Sequence, residues 1–293
     1  MKVGFIGLGT MGFPMTDNLL KANFEVWVYS RSRGPIDKAV QLGAKEAKNA
    51  FDLAQKVDFV MTALPMPDDI LKVYFGEEGI LAGAKPDTVL IDHSTVGPDL
   101  NHKIYEGAKK KGVHFLDAPI SGGPMGAEAG TLTIMVGGDK GIFDKASPVL
   151  QAMGKNILYM GESGSGSIAK LINNMLVGIH TVALSEAFVL GEKAGITSQA
   201  LAEVLKNSTG HSYMIDRVLP LIQKRDFKQR FSIDLLFKDM GIAIDMGNQI
   251  LVPLSLAKLA EKMIAEAKEQ GYGHEDIAAI IKPVEKRSHI EVK

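Results

Sequence analysis

The chain has 293 residues, 46% hydrophobic and 23% charged, the balance of a folded soluble protein with material for two ordinary domains. Lysine and arginine number 33 against 34 aspartate and glutamate; the net charge of −1 gives no electrostatic reason to expect nucleic acid or an anionic membrane as partner. Cysteine is absent, which excludes disulfides, thiolate catalysis and Cys-ligated metal sites, and the 7 histidines show no ligand spacing, so no metal is expected.

Short β-rich runs are predicted at 3–6, 25–29, 59–62, 89–92, 114–116, 133–136 and 157–159, several of them continuously apolar, as strands covered on both faces require. Segments between them, such as 11–21, 99–111 and 139–153, are long enough for crossover helices. The β-α-β order predicts an α/β Rossmann-type doubly wound, mostly parallel sheet. The first strand begins at once, so no cleaved leader is expected, and no apolar run reaches the length of about 18 residues that a membrane span needs. The expected location is the cytoplasm. After the small-residue stretch 161–166 strands disappear. Apolar residues from Ile168 to Leu190 recur at 3- and 4-residue steps, predicting one helix of roughly 28 residues that ends at Gly195. Further helices are predicted at 198–208, 213–224, 233–248, 254–270 and 274–287. The expected division is a dinucleotide-binding domain over 1–161 and an all-helical domain over 162–293.

Gly7-Leu8-Gly9-Thr10-Met11-Gly12 follows the first strand and opens the first helix. GxGxxG alone is a weak pattern, but this context is the one a dinucleotide site requires: a first glycine for the turn, a second for close approach of the pyrophosphate, and a third for helix–strand packing. The second strand ends in Ser30-Arg31-Ser32-Arg33, with no carboxylate to hold the ribose diol that NAD(H) presents. An arginine among hydroxyls suits the 2′-phosphate of NADP(H), which is the expected preference, with NAD(H) still possible; the alternative is a solvated basic loop.

Three later loops also follow strand ends: Leu64-Pro65, Asp92-His93-Ser94-Thr95, and Asp117-Ala118-Pro119-Ile120-Ser121-Gly122-Gly123. Ligands of open α/β sheets bind beyond the carboxyl ends of strands, so the three would share one crevice. Ser121-Gly122-Gly123 offers a hydroxyl and unobstructed N–H groups, a nest for a carboxylate, or else a flexible turn. On the long helix, Lys170 has Asn173 and Asn174 on roughly its own face, and a polar trio in an apolar helix is hydrogen-bonded or faces a cleft. A desolvated lysine can exchange a proton with a substrate oxygen; a snorkelling lysine with two structural asparagines is the alternative. Lys238-Asp239, by itself, reads as a solvated helix face.

Together these segments resemble the β-hydroxyacid dehydrogenase family, on Gly7 to Met15, Asp117 to Gly123, Gly164-Ser165-Gly166 with Lys170 and Asn173-Asn174, and Lys238-Asp239. The resemblance covers nearly the whole chain. It implies a Rossmann domain followed by an all-α domain of the 6-phosphogluconate dehydrogenase C-terminal type, with the site in the cleft between them. It further implies Lys170 as catalytic acid/base, assisted by Asn174 and Asn173. Ser121, Gly122 and Gly123 would bind the carboxylate of a small substrate. Thr95 and Lys238, with Leu64 and Pro65, would line the cofactor, while Phe231 and Asp239 would shape the substrate pocket. The family's helical domain commonly builds homodimers or homotetramers. The expected reaction is hydride transfer between NADP(H) and a small 3-hydroxy acid or its semialdehyde; an NADPH-dependent glyoxylate or succinic semialdehyde reductase is the alternative. The rival outside catalysis is a silent NADP-binding sensor or interaction module. Imine reductases share the architecture but usually carry Asp or Tyr at the lysine position.

Overall fold

The computed structural model describes residues 1–293, in two compact units, Met1–Lys170 and Leu171–Lys293. In the first, nine strands form one sheet: β1 (Lys2–Ile6), β2 (Glu25–Tyr29), β3 (Lys45–Glu46), β4 (Phe59–Thr62), β5 (Val89–Asp92), β6 (His114–Asp117), β7 (Ile120–Ser121), β8 (Leu132–Gly138) and β9 (Gly154–Gly161). The helices between them are α1 (Gly12–Lys21), α2 (Arg33–Gln41), α3 (Ala50–Ala54), α4 (Pro67–Phe75), α5 (Ile80–Gly83), α6 (Pro98–Lys109), α7 (Gly123–Glu128) and α8 (Lys140–Gln151). Strand order is β3-β2-β1-β4-β5-β6-β8-β7, with β9 also paired to β8. From β3 to β6 every pairing is parallel, while β8 meets β6 and β7 antiparallel, so the sheet is mixed at that end. The order in which strands are added reverses at β1, with β2 and β3 on one side and β4, β5 and β6 on the other, which opens a switch-point crevice beyond the carboxyl ends of β1 and β4.

Val60, Met61, Leu90 and Ile91 are fully buried because helices cover both faces of β4 and β5. One face packs Phe5, Met15 and Val28 with Ile134 and Val149, and the other packs Tyr74, Ile80 and Phe115. Each fully buried side chain of this size stabilises the fold by about 1.5–3 kcal/mol. The two-residue strands β3 and β7 are the strands absent from the sequence reading, being too short to show a period.

The second unit is helical. Helix α9 (Ser165–Lys193) begins in the first unit and runs on through the second, followed by α10 (Ser198–Lys206), α11 (Tyr213–Gln223), α12 (Ile233–Gln249), α13 (Ser255–Ala267) and α14 (Ile281–Ser288). Its core gathers Phe188, Ile215, Leu236, Met240, Ile264 and Ile280. A Cβ at Gly178 would lie 2.7 Å from Met240 Sδ, so the methionine side chain of α12 fills the space that glycine leaves on α9. Two expectations need correction. The predicted helix 254–270 ends earlier, because α13 passes into a π turn over Lys268–Tyr272 in which Gly271 has φ 91°. The predicted helix 274–287 is a 3₁₀ turn, Ile277–Ile280, opened by the Asp276 side chain accepting from Ala278 N, and then α14. A third correction concerns α9, a 29-residue helix in which an 18-residue stretch has a mean hydropathy of 1.4, long and apolar enough to cross a membrane. Half of that stretch is buried in the protein itself, as in the core helix of a folded domain.

Candidate active site

The glycine loop leaves β1 at Gly7, whose N–H is bonded to Tyr29 O and whose φ is 96°. A Cβ at Gly7 would meet Ala63 O at 2.4 Å, and one at Gly12 would meet Gly7 O at 1.9 Å. At Gly9, by contrast, nothing lies within 4 Å, so this backbone faces open space. Helix α1 starts here with no side-chain cap and no acidic residue in its first turn. A glycine that clears space and a helix end whose positive pole no carboxylate opposes fit a pyrophosphate. Thr10 and Met11 lie along the loop, exposed and half-buried, while Leu8 is buried in the sheet core.

At the end of β2, Ser30 Oγ accepts from Leu8 N at 3.3 Å, tying the second strand end to the glycine loop. Arg31 is 87% exposed and meets Asp69 only at 3.8 Å. Arg33 is committed elsewhere, to Asp37 and Glu46. Ser32 stands at the N-cap of α2 without a side-chain bond, and the first turn of that helix carries no acid. Arg31 is therefore the cation of this loop with freedom to meet an anion.

Beyond β4 and β5 a buried network sets the loops. Thr62 Oγ1 donates to Asp92 Oδ1 at 2.6 Å, and Ser94 Oγ donates to the same oxygen at 2.6 Å. Leu64 N donates to Ser94 Oγ at 2.9 Å, which ties the Leu64-Pro65 loop to the Ser94-Thr95 loop, as a shared crevice requires. Tyr74 lies 2.9 Å from Thr62 Oγ1, and burial with the Asp92 charge pushes its phenol well above the usual value. His93 is buried, its ring stacked on Phe5 at 6.3 Å and its Nδ1 donating to Ala118 O at 2.7 Å. It belongs to the wall. His211 lies at the surface beside Asp216.

Ser121 ends β7 and pairs with Thr133 of β8. Gly122 and Gly123 follow with φ 134° and 63°, both exposed, a turn whose positive φ values disfavour residues with a side chain. Lys170 is 8% exposed, on the sixth residue of α9. One turn further, Asn173 Nδ2 donates to Asn174 Oδ1 at 3.0 Å, and Asn174 Nδ2 donates to Asp239 Oδ2 at 2.7 Å. Lys238 closes the chain of contacts, 3.1 Å from Asp239 Oδ1. The reading of Lys238-Asp239 as a solvated helix face is overturned, since their side chains are 14% and 3% exposed. Phe231 packs against the helical core, its N–H bonded to Asp276 Oδ2 at 3.1 Å.

Sequence reasoning missed the tasks of Asp92, Ser94 and Asp117. The available signal was their place at the ends of adjacent strands, where Asp92 and Asp117 are register partners.

Residues 2–161 match the family model of the NAD-binding domain of 6-phosphogluconate dehydrogenase, and residues 164–284 match that of the NAD-binding domain of NADP-dependent 3-hydroxyisobutyrate dehydrogenase. The chain is 38% identical over 293 residues to 2-(hydroxymethyl)glutarate dehydrogenase of Eubacterium barkeri, covering 100% of this chain and 97% of the relative. It is 35% identical over 288 residues to the NAD-dependent L-serine dehydrogenase of Pseudomonas aeruginosa, covering 96% and 97%. Among solved structures, 3-hydroxyisobutyrate dehydrogenase of Mycobacterium tuberculosis with L-serine superposes with a TM-score of 0.89 at 33% identity, over 97% of this chain and 98% of that one. With both family models matched in order and these relatives aligned end to end, the chain belongs to the β-hydroxyacid dehydrogenase family and is an NAD(P)-dependent oxidoreductase of hydroxy acids.

Proposed function

We propose that the protein moves a hydride between NADP(H) and a small 3-hydroxy acid or its semialdehyde, with Lys170 as the proton carrier. The observation that carries this reading is the buried Lys170 one helical turn before Asn174, whose amide is itself fixed by the buried Asp239. The substrates named for the relatives above, 2-(hydroxymethyl)glutarate, L-serine and 3-hydroxyisobutyrate, share a carboxylate one carbon from a hydroxymethyl group. Ser121 with the Gly122 and Gly123 N–H groups suits that carboxylate. A bound nicotinamide supplies the hydride acceptor in one direction and the donor in the other. Lys170 takes the hydroxyl proton as a neutral amine during oxidation and gives one to the aldehyde oxygen as an ammonium during reduction.

NADP(H) is favoured by the missing carboxylate after β2 and by Arg31, whose nearest acid is 3.8 Å away. The same preference favours the reductive direction, on glyoxylate or succinic semialdehyde. Assembly belongs to the same reading: a second copy covers the exposed apolar face of α9, giving a homodimer or homotetramer.

The test follows NADPH and NADH oxidation with glyoxylate and with succinic, tartronate and methylmalonate semialdehydes. The reverse reaction is run on 3-hydroxyisobutyrate, L-serine and 2-(hydroxymethyl)glutarate. On the substrate so found, Lys170→Ala should lower kcat about 10²–10⁴-fold with cofactor affinity unchanged. Turnover above a tenth of wild type removes Lys170 from the reaction. Arg31→Asp should shift the NADPH/NADH ratio of kcat/KM at least about tenfold towards NADH; an unmoved ratio removes Arg31 from the phosphate site.

A further inference from the structure

Asp117 closes β6, and its carboxylate is wholly buried. It points not into the sheet but at the start of α9, where Oδ1 accepts from Gly164 N at 2.7 Å and Oδ2 from Ser167 N at 2.9 Å. Four N–H groups at a helix start lack partners within the helix, and here a carboxylate 47 and 50 residues upstream satisfies two of them. The negative charge also meets the positive pole of a 29-residue helix. Burial and the neighbouring Asp92 push the Asp117 carboxyl up, while the two N–H bonds act against that shift and favour the charged form.

The seat of the helix is close-packed. A Cβ at Gly166 would lie 2.3 Å from Met135 O and 2.8 Å from Asp117 O, so glycine lets the first turn of α9 reach the carboxylate. From Ser167, Lys170 is three residues on, under one turn. From Asp117 in the other direction, Ser121 is four residues on. The Ser121 loop has its own hold on the sheet, through the Ile120–Ile134 and Ser121–Thr133 pairs and the bond from Met135 N to Pro119 O. Without the carboxylate, the helix start would be loosened while the loop kept its place.

We infer that Asp117 is a positioning residue that fixes Lys170 against the Ser121–Gly123 loop by pinning the N-terminus of α9. This rests on the assignment of Lys170 as proton carrier. A group that sets the distance between a bound substrate and its acid/base acts on kcat, and a displacement of about 1 Å costs on the order of 100-fold. The carboxylate-binding loop and the glycine loop are untouched, so KM and cofactor affinity should hold.

The experiment compares wild type, Asp117→Asn, Gly166→Ala and Lys170→Ala as full-length enzymes, with kcat normalised to cofactor-binding sites and assayed well below each Tm. Asparagine keeps the size of the side chain but turns an N–H towards one of the two donors. Gly166→Ala leaves the carboxylate intact and lifts the helix, so it carries the same test if Asp117→Asn does not fold. The expected result is a fall in kcat of at least about tenfold, with KM and cofactor Kd within about threefold of wild type. Normal kcat with only a lowered Tm, while Lys170→Ala is inactive, overturns the positioning role alone. An active Lys170→Ala overturns the lysine assignment and this inference with it.

Discussion

At the scale of single residues, His93 shows how a group outside the chemistry can set the acid limit of the fold. Its Nδ1 bonds to the Ala118 carbonyl and so carries the proton, which leaves Nε2 as a bare lone pair; that atom is buried with no hydrogen-bond partner. Protonation would place a charge and an unmet N–H in the core, and burial accordingly pushes the imidazole down from 6.5 to about 4. The folded value lies below the unfolded one. The neutral ring's contribution is therefore fully present above pH 6.5 and is lost progressively as pH falls towards 4. At pH 4.5 the expected loss is about 2.5 kcal/mol. Urea unfolding of wild type and His93→Gln at pH 7 and pH 4.5 measures it. Wild type should lose about 2 kcal/mol more than the variant between the two pH values; equal losses would mean that the ring is protonated in the fold without penalty.

At the scale of elements, legibility followed the range of the interactions that make each one. Helix α9 was readable from Ile168 to Leu190 because its apolar spacing is local, and β4 and β5 because continuous apolar runs mark strands covered on both faces. The glycine loop was legible for the same reason, its turn, open position and close contact falling within six residues. What stayed hidden was made at a distance. Asp239 looked solvated because its partner, Asn174, is 65 residues upstream. Asp117 looked like one letter of a substrate motif because the N–H groups it satisfies lie beyond three intervening strands. The break before α14 depends on Asp276, whose carboxylate also binds Arg217 bidentately at 3.2 and 2.8 Å and holds the Phe231 N–H. Periodicity carries no trace of such tertiary caps. The two buried acids Asp92 and Asp117 were visible only as strand ends, and their shared register emerged with the sheet.

At the scale of the whole molecule, the long helix leaves one face uncovered. Ile172, Leu176 and Leu190 are 45%, 44% and 71% exposed, and Ala183 lies in the same row, so positions 176, 183 and 190 repeat at seven residues. A seam of that period is the pattern by which helices pack on one another, and a two-fold axis across it would bring the same residues from both copies together. The net charge of −1 adds little repulsion between copies. Sedimentation velocity from about 5 to 100 µM should give multiples of 31.6 kDa for the wild type. Leu176→Glu with Leu190→Glu places two charges on the seam, away from Lys170 and the Asn174–Asp239 cluster. That variant should sediment as a 31.6 kDa monomer with an unchanged circular dichroism spectrum. A wild type that is monomeric throughout this range, or a double variant that still assembles, would show that no second copy covers this face of α9.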